Sequence, residues 1–135
     1  MRIGALAERV GIPARTIRFY EKRGLMAEPR RAPNGYREYG PSAVARLRFI
    51  RSAQAAGLTL EEIRSVVDIR DTGEAPCSHV ESLLGSKLEE VRVRRRELAV
   101  LEQELSSLLE RSRGLDPADC GPGQVCHIID LDNPG

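Results

Sequence analysis

The chain has 135 residues with 41% hydrophobic and only 4% aromatic content, a size that suits one domain or a small head with an extension and leaves little room for an enzyme with its own substrate cleft. No apolar run reaches the roughly 18 residues of a membrane span, and the start MRIGALAERVG carries Glu8 where a signal peptide would be continuously apolar; a cytoplasmic protein without a membrane segment is expected. The net charge of +1 hides a split: residues 1–57 carry 12 Lys/Arg against 4 Asp/Glu, and residues 58–135 carry 9 against 16, so the first half is suited to a polyanion.

Ile3, Leu6, Ala7 and Val10 fall at helical spacing and Gly11 stops them, which predicts a first helix of about two turns. Pro13 suits the first turn of a second helix whose apolar face is Ile17, Tyr20 and Phe19, with Gly24 ending it. Two short helices joined through a tight Gly-containing turn make a helix-turn-helix. The stretch EPRRAPNGYREYGP follows, and its Asn34-Gly35 step signals a hairpin, here a two-stranded wing. Pro41 opens a third helix with Val44, Leu47, Ile50 and Ala53 inward, and Gly57 closes it. Thr59 and Glu62 have capping-box spacing for a fourth helix containing Ile63, Val66 and Val67.

After a connector, DIRDTGEAPC, residues 79–112 hold neither Pro nor a turn cluster. Leu84, Leu88, Val91, Leu98, Leu105 and Leu109 follow heptad steps, interrupted at Arg95 and Glu102. A lone helix would leave that stripe wet, so a dimer seam is expected. Gly114 and Pro117 end the helix, and DCGPGQVCHIIDLDNPG reads as an irregular loop with a short apolar segment at Ile128 and Ile129.

Basic residues concentrate at Arg15, Arg18, Lys22 and Arg23 on the second helix, Arg30, Arg31 and Arg37 around the wing, and Arg46, Arg48 and Arg51 on the third helix. Phosphate contacts from such residues fix register and supply salt-dependent affinity, whereas base edges carry sequence information. Arg15 and Arg18, near the start of the second helix, are the candidates for groove contacts.

RTIRFYEKRGL, followed by NGYREYGPSAVARLRFIRSAQAAGLTLEEI, resembles the DNA-binding head of the MerR family of bacterial regulators. The resemblance covers about half of the chain. It implies a winged helix-turn-helix head, an antiparallel coiled-coil homodimer, and activation by underwinding and bending double-stranded promoter DNA for RNA polymerase. By the same resemblance Arg18, Tyr20, Tyr36 and Arg37 touch the DNA backbone or grooves; Tyr20 and Tyr36 read equally well as head-core residues with a wet hydroxyl. Lys22, Arg31 and Arg51 join Arg15 in the candidate DNA-binding set. The expected chain is therefore mainly α: a head over 1–70, a connector over 71–78, a dimerisation helix over 79–113, and a metal-binding loop and tail over 114–135.

Three cysteines in a reducing compartment point to metal ligation or buried thiols rather than disulfides. Cys120 and Cys126 flank a five-residue loop with two glycines, and thiolate pairs select soft ions over magnesium or calcium. Cys77 lies just before the long helix, whose ends are about 50 Å apart at 1.5 Å per residue. One chain cannot bring Cys77 to its own loop, whereas an antiparallel partner can. Geometry and resemblance thus converge on a site of Cys120 and Cys126 from one subunit and Cys77 from the other.

Family members that sense divalent ions carry Cys at the position of Cys77, and those sensing copper(I), silver or gold carry Ser. Three thiolates favour zinc, cadmium, lead or mercury over copper(I), because a linear two-sulfur site balances a monovalent ion. The Cys120–Cys126 spacing is shorter than that usual in the mercury and zinc members, which leaves the particular metal open. His79 and His127 adjoin these thiols and are additional candidate ligands, as is Asp119. A zinc-structured dimer that does not sense metal is the alternative of a different class. An iron-sulfur sensor would need four closely spaced cysteines, and a multidrug-type regulator a further ligand domain with aromatic walls.

Overall fold

Apolar residues three and four positions apart build most of the backbone here, and glycines and prolines punctuate it. The computed structural model describes residues 1–27 and 29–130; the end of the tail predicted over 114–135 lies outside that range. In chain order the elements are α1 (Ile3–Val10), α2 (Ala14–Lys22), β1 (Arg30–Arg31), β2 (Arg37–Glu38), α3 (Pro41–Ala55), α4 (Leu60–Asp71), α5 (Cys77–Arg113) and a 3₁₀ turn at Pro117–Asp119. Two compact units divide the chain, the first from Met1 to Lys87 and the second beginning at Leu88.

In the first unit, α1, α2, α3 and α4 close over one core. Leu6, Ile17, Leu25, Leu47, Ile50 and Ile63 are completely buried there. The inward positions predicted for α3 (Val44, Leu47, Ile50, Ala53) and for α4 (Ile63, Val66, Val67) are all buried. Phe19 departs from expectation: it is 43% exposed, and the Arg23 guanidinium lies 5.6 Å from its ring centroid. The reason is phase, since a residue two positions from Ile17 is turned to the other side of the helix.

Gly11 ends α1 at φ +70°, its amide donating to the Ala7 carbonyl at 2.9 Å. A side chain there would also lie 3.1 Å from Arg51 Nη1, so the turn into α2 requires glycine for two reasons. The wing strands pair antiparallel, Arg30 opposite Glu38 and Arg31 opposite Arg37. Within its tip, Asn34 Oδ1 accepts from the Tyr36 amide at 3.2 Å and Gly35 adopts φ +83°.

The helix boundaries around the connector also differ from the sequence reading. α4 continues to Asp71 and α5 begins at Cys77, so the break is residues 72–76. Asp68, Ile69 and Arg70 lack a turn residue and extend the fourth helix, and Pro76 sits just ahead of α5 as Pro13 does ahead of α2. In the second unit no residue of α5 is buried, and Leu88, Leu98, Leu105 and Leu109 are 49 to 63% exposed.

Thr59 and Glu62 form the expected capping box: the Glu62 amide donates to Thr59 Oγ1 at 3.2 Å and the Thr59 amide to Glu62 Oε1 at 2.9 Å. The Lys87 ammonium lies 2.8 Å from the same carboxylate oxygen. The Lys87 contact first, and the Thr59 amide second, hold the Glu62 carboxyl below the usual glutamate range. A depressed folded-state value stabilises the fold fully above the unfolded pKa of about 4.3 and is lost as pH falls through the folded value. Glu62→Gln is therefore expected to be less stable than wild type at pH 7 in urea denaturation, with the gap closing below about pH 4; a constant gap would remove the charge from this cap.

Candidate nucleic-acid interface and thiol loop

The basic face of the head is assembled from α1, α2 and the wing. Arg18 on α2 and Tyr36 and Arg37 on the wing line one shallow hollow with Arg2, Ile3 and Gly4. Lys22, Arg31 and Arg37 line a second beside it, with Glu21 and Pro29. The structure thus brings together Arg18, Lys22, Arg31, Tyr36 and Arg37, five of the residues selected from sequence. Arg15, on the first turn of α2, is exposed.

Arg2 was missed in the sequence reading: its guanidinium stacks 4.2 Å from the centroid of the Tyr36 ring. Tyr36 itself is 57% exposed. Arg37 is held by Glu21, 2.8 Å from its carboxylate, and the Tyr39 hydroxyl donates to the other carboxylate oxygen. Burial, and then the neighbouring Glu21 carboxylate, raise the Tyr39 pKa. This cluster clamps the base of the wing against α2.

Tyr20 and Arg51, also selected from sequence, are tied to other helices of the head. Tyr20 is 6% exposed, and its hydroxyl donates to Gln54 Oε1 on α3 at 3.0 Å, so the ring lies in the head core with its hydroxyl bonded to a neighbouring helix rather than wet. Arg51 donates from Nη1 to the Val10 carbonyl at 2.7 Å, satisfying an orphan acceptor at the end of α1. Arg46 similarly donates to the Leu25 carbonyl at 3.2 Å and pairs with Asp71.

All three cysteines are free thiols, with Cys77 exposed on the first residue of α5 and Cys120 and Cys126 partly exposed. The loop is ordered by short-range bonds. Asp116 Oδ1 accepts from the Ala118 amide at 2.9 Å, and the Cys120 amide donates to the Pro117 carbonyl at 3.1 Å. The Gln124 amide closes a turn onto Gly121, and the Cys126 amide donates to Asp130 Oδ2 at 3.1 Å while the Cys126 carbonyl accepts from Ile129 and Asp130. Arg111 near the end of α5 donates to the His127 carbonyl at 3.2 Å. Asp130 as the brace of Cys126 escaped the sequence reading, since a carboxylate four residues past a cysteine has no distinctive pattern.

Among the described residues of a single chain, no three His, Cys, Asp or Glu side chains converge as a metal cluster. His79 faces elsewhere, with Nε2 2.7 Å from Ser65 Oγ.

A basic winged helix-turn-helix head followed by a long helix is a DNA-binding regulator rather than an enzyme. Residues 1–68 match the MerR HTH family regulatory protein model, and residues 44–108 match the MerR DNA-binding model. The chain belongs to the MerR family. It is 36% identical to the HTH-type transcriptional regulator HmrR of Rhizobium leguminosarum bv. viciae, over 89% of this chain and 92% of that protein. It is 39% identical to the mercuric resistance operon regulatory protein of Bacillus cereus, over 82% and 83% respectively. The crystal structure of the transcription regulator PbrR691 from Ralstonia metallidurans CH34 in complex with lead(II) superposes with a TM-score of 0.76, at 37% identity over 90% of this chain and 94% of that one. No helix among the described residues is long and apolar enough to cross a membrane.

Tyr20→Phe removes only the bond to Gln54. A loss of about 0.5–1.5 kcal/mol in urea denaturation, with operator affinity unchanged, is expected; the opposite pattern, weakened DNA binding at wild-type stability, would place that hydroxyl on the DNA.

Proposed function

We propose that this protein is a metal-responsive transcription regulator that binds promoter DNA as a homodimer. It senses a thiophilic divalent ion and activates its promoter by distorting the DNA. The observation that carries the metal reading is the thiol set: two free thiols sit in one short loop whose Cys126 is braced by Asp130, and a third is exposed at the start of α5. The relatives support it, one named for mercuric resistance and one crystallised with lead(II). Soft sulfur donors suit zinc, cadmium, lead or mercury.

Cys120 and Cys126 of one subunit and Cys77 of its partner are the proposed ligands. The uninterrupted run of α5 from Cys77 to Arg113 supports the helix-length argument for sharing. An ion held by these thiolates would link the two subunits and favour the promoter-distorting conformation of the dimer. His127 and Asp119 adjoin the loop thiols as further candidates, and RNA polymerase reads the distorted promoter.

The DNA surface proposed is Arg15, Arg18, Lys22, Arg31, Tyr36 and Arg37, joined by Arg2. Arg18→Ala is expected to weaken operator binding by about 1–3 kcal/mol, with relaxed specificity for a base contact or a shallower salt slope for a phosphate contact. Unchanged affinity and slope in a fluorescence-anisotropy titration would remove Arg18 from the interface.

Promoter transcription in vitro across zinc, cadmium, lead, mercury and copper(I) tests the metal reading. Cys120→Ser and Cys126→Ser are expected to abolish the response while sparing operator binding. Equal loss of DNA binding in all three cysteine variants would instead indicate a structural zinc. A mixed dimer of a Cys77→Ser subunit and a Cys120→Ser/Cys126→Ser subunit is expected to keep one three-sulfur site, counted by thiolate-to-metal absorption under mercury titration. No such site would overturn the sharing.

A further inference from the structure

On the first turn of α5, Cys77 and His79 have different surroundings. Cys77 is exposed, whereas His79 is partly buried against α4. Two residues along a helix correspond to roughly 200° of rotation, so the two side chains leave the helix on opposite sides. The His79 side contacts the head through residues one turn apart. His79 Nε2 meets Ser65 Oγ at 2.7 Å, Leu83 packs against the head core, and Lys87 pairs with Glu62 at 2.8 Å. Glu62 and Ser65 are both on α4, and Glu62 is also the capping-box residue of that helix.

The direction of the Ser65–His79 bond follows from counting protons. Ser65 Oγ lies 2.6 Å from the Glu62 carbonyl oxygen, a separation between two oxygens that requires a proton between them, and only the hydroxyl can provide it. With its one proton directed at Glu62, Ser65 Oγ accepts at 2.7 Å from His79, whose Nε2 therefore carries hydrogen. The imidazole is thus oriented by α4, in the same way that the carbonyl of α4 orients the hydroxyl.

We infer that His79 is a positioning residue which couples the Cys77 end of α5 to the DNA-binding head, through Nε2–H donation to Ser65 and not through ligation of the ion. The inference rests on the reading of Cys77 as a metal ligand. A shift of the first turn of α5, such as ligation by Cys77 would impose, would be passed to α4 by the Ser65 bond, supported by Leu83 and Lys87. Because α4 carries Ile63, Val66 and Val67 into the core, displacement of α4 reaches the packed head. Without the bond, the turn can shift while α4 stays in place.

The test uses the full-length dimer with Ser65→Ala, His79→Ala, the double variant and His79→Gln. Three quantities are read: mercury or cadmium sites by thiolate absorption, operator affinity without metal, and metal-dependent induction of transcription. Ser65→Ala and His79→Ala are expected to keep the metal sites and the metal-free operator affinity but lose about 2- to 30-fold of induction, the range reported by coupling mutations. The double variant should lose no more than either single one. His79→Gln, whose amide can donate to Ser65 but offers no ring nitrogen to a metal, should restore induction. Wild-type induction in the alanine variants overturns the coupling role, even if their melting temperatures fall. Loss of metal absorption in His79→Gln makes His79 a ligand and overturns the assignment. A wild-type dimer that ignores every metal tested overturns the metal reading itself, and this inference with it.

Discussion

An exposed apolar stripe on α5 is the constraint from which the rest of the assembly follows. The helix spans 37 residues and buries none of them, yet Leu84, Leu88, Val91, Leu98, Leu105 and Leu109 repeat at heptad steps. Apolar surface yields about 25 cal/mol per Å² when removed from water, and a helix cannot bury its own stripe. Homodimers are typical of the MerR family, and in the proposed homodimer a second copy would supply the missing surface. Dimerisation then has two further effects. In the proposed homodimer two basic heads would face one duplex, and an antiparallel partner would bring Cys77 to a loop that holds two thiols of its own.

Within the head, polar bonds at helix ends fix the relative positions of the DNA-facing elements. Arg51 from α3 caps the end of α1 at Val10, and Arg46 caps the chain leaving α2 at Leu25. The Tyr20 hydroxyl ties α2 to α3 through Gln54. Glu21 fastens the wing to α2 by accepting from both Arg37 and Tyr39. Apart from the exposed Arg37–Glu21 pair, these part-buried bonds satisfy groups that would otherwise be left unpaired near the core, at a net worth of about 1 kcal/mol apiece. Their combined effect is geometric, because α2, held from three sides, offers its basic residues on a preformed surface.

Local sequence signals accounted for most of this architecture. Glycine and proline punctuation located the head helices, heptad steps located α5, and Thr59 with Glu62 announced a cap that the structure contains. The errors came where a signal was ambiguous or non-local. Phe19 looked like core because it is aromatic, although its helical phase relative to Ile17 turns it outward. The connector looked longer than it is because Asp68 and Arg70 are polar, although nothing in them stops a helix. Charge alone could not separate the arginines available to DNA from Arg46 and Arg51, whose partners are carbonyls 21 and 41 residues away in the chain. The thiols of the proposed site were legible as residue types at telling places. The support around them was not, since Asp130 behind Cys126 and Ser65 behind His79 depend on turns and helix packing that no spacing rule encodes.

Conformational coupling in such a chain has to pass through whatever backbone is not locked in a helix. Between α4 and α5 that backbone is residues 72–76, with Gly73 at φ +94° and Pro76 ahead of the first turn of α5. Packed helices shift as units because close-packed interiors resist deformation, so a displacement of the first turn of α5 can either flex this short segment or carry α4 along. The side-chain contacts that span it decide between the two outcomes. With Ser65 bonded to His79, Leu83 seated on the core and Glu62 paired to Lys87, flexing the connector alone would break all three contacts, whereas moving α4 with α5 keeps them. The connector is therefore less a hinge than a link whose freedom is limited by the helices it joins, and under the proposed coupling a change that begins at Cys77 would be directed into the head.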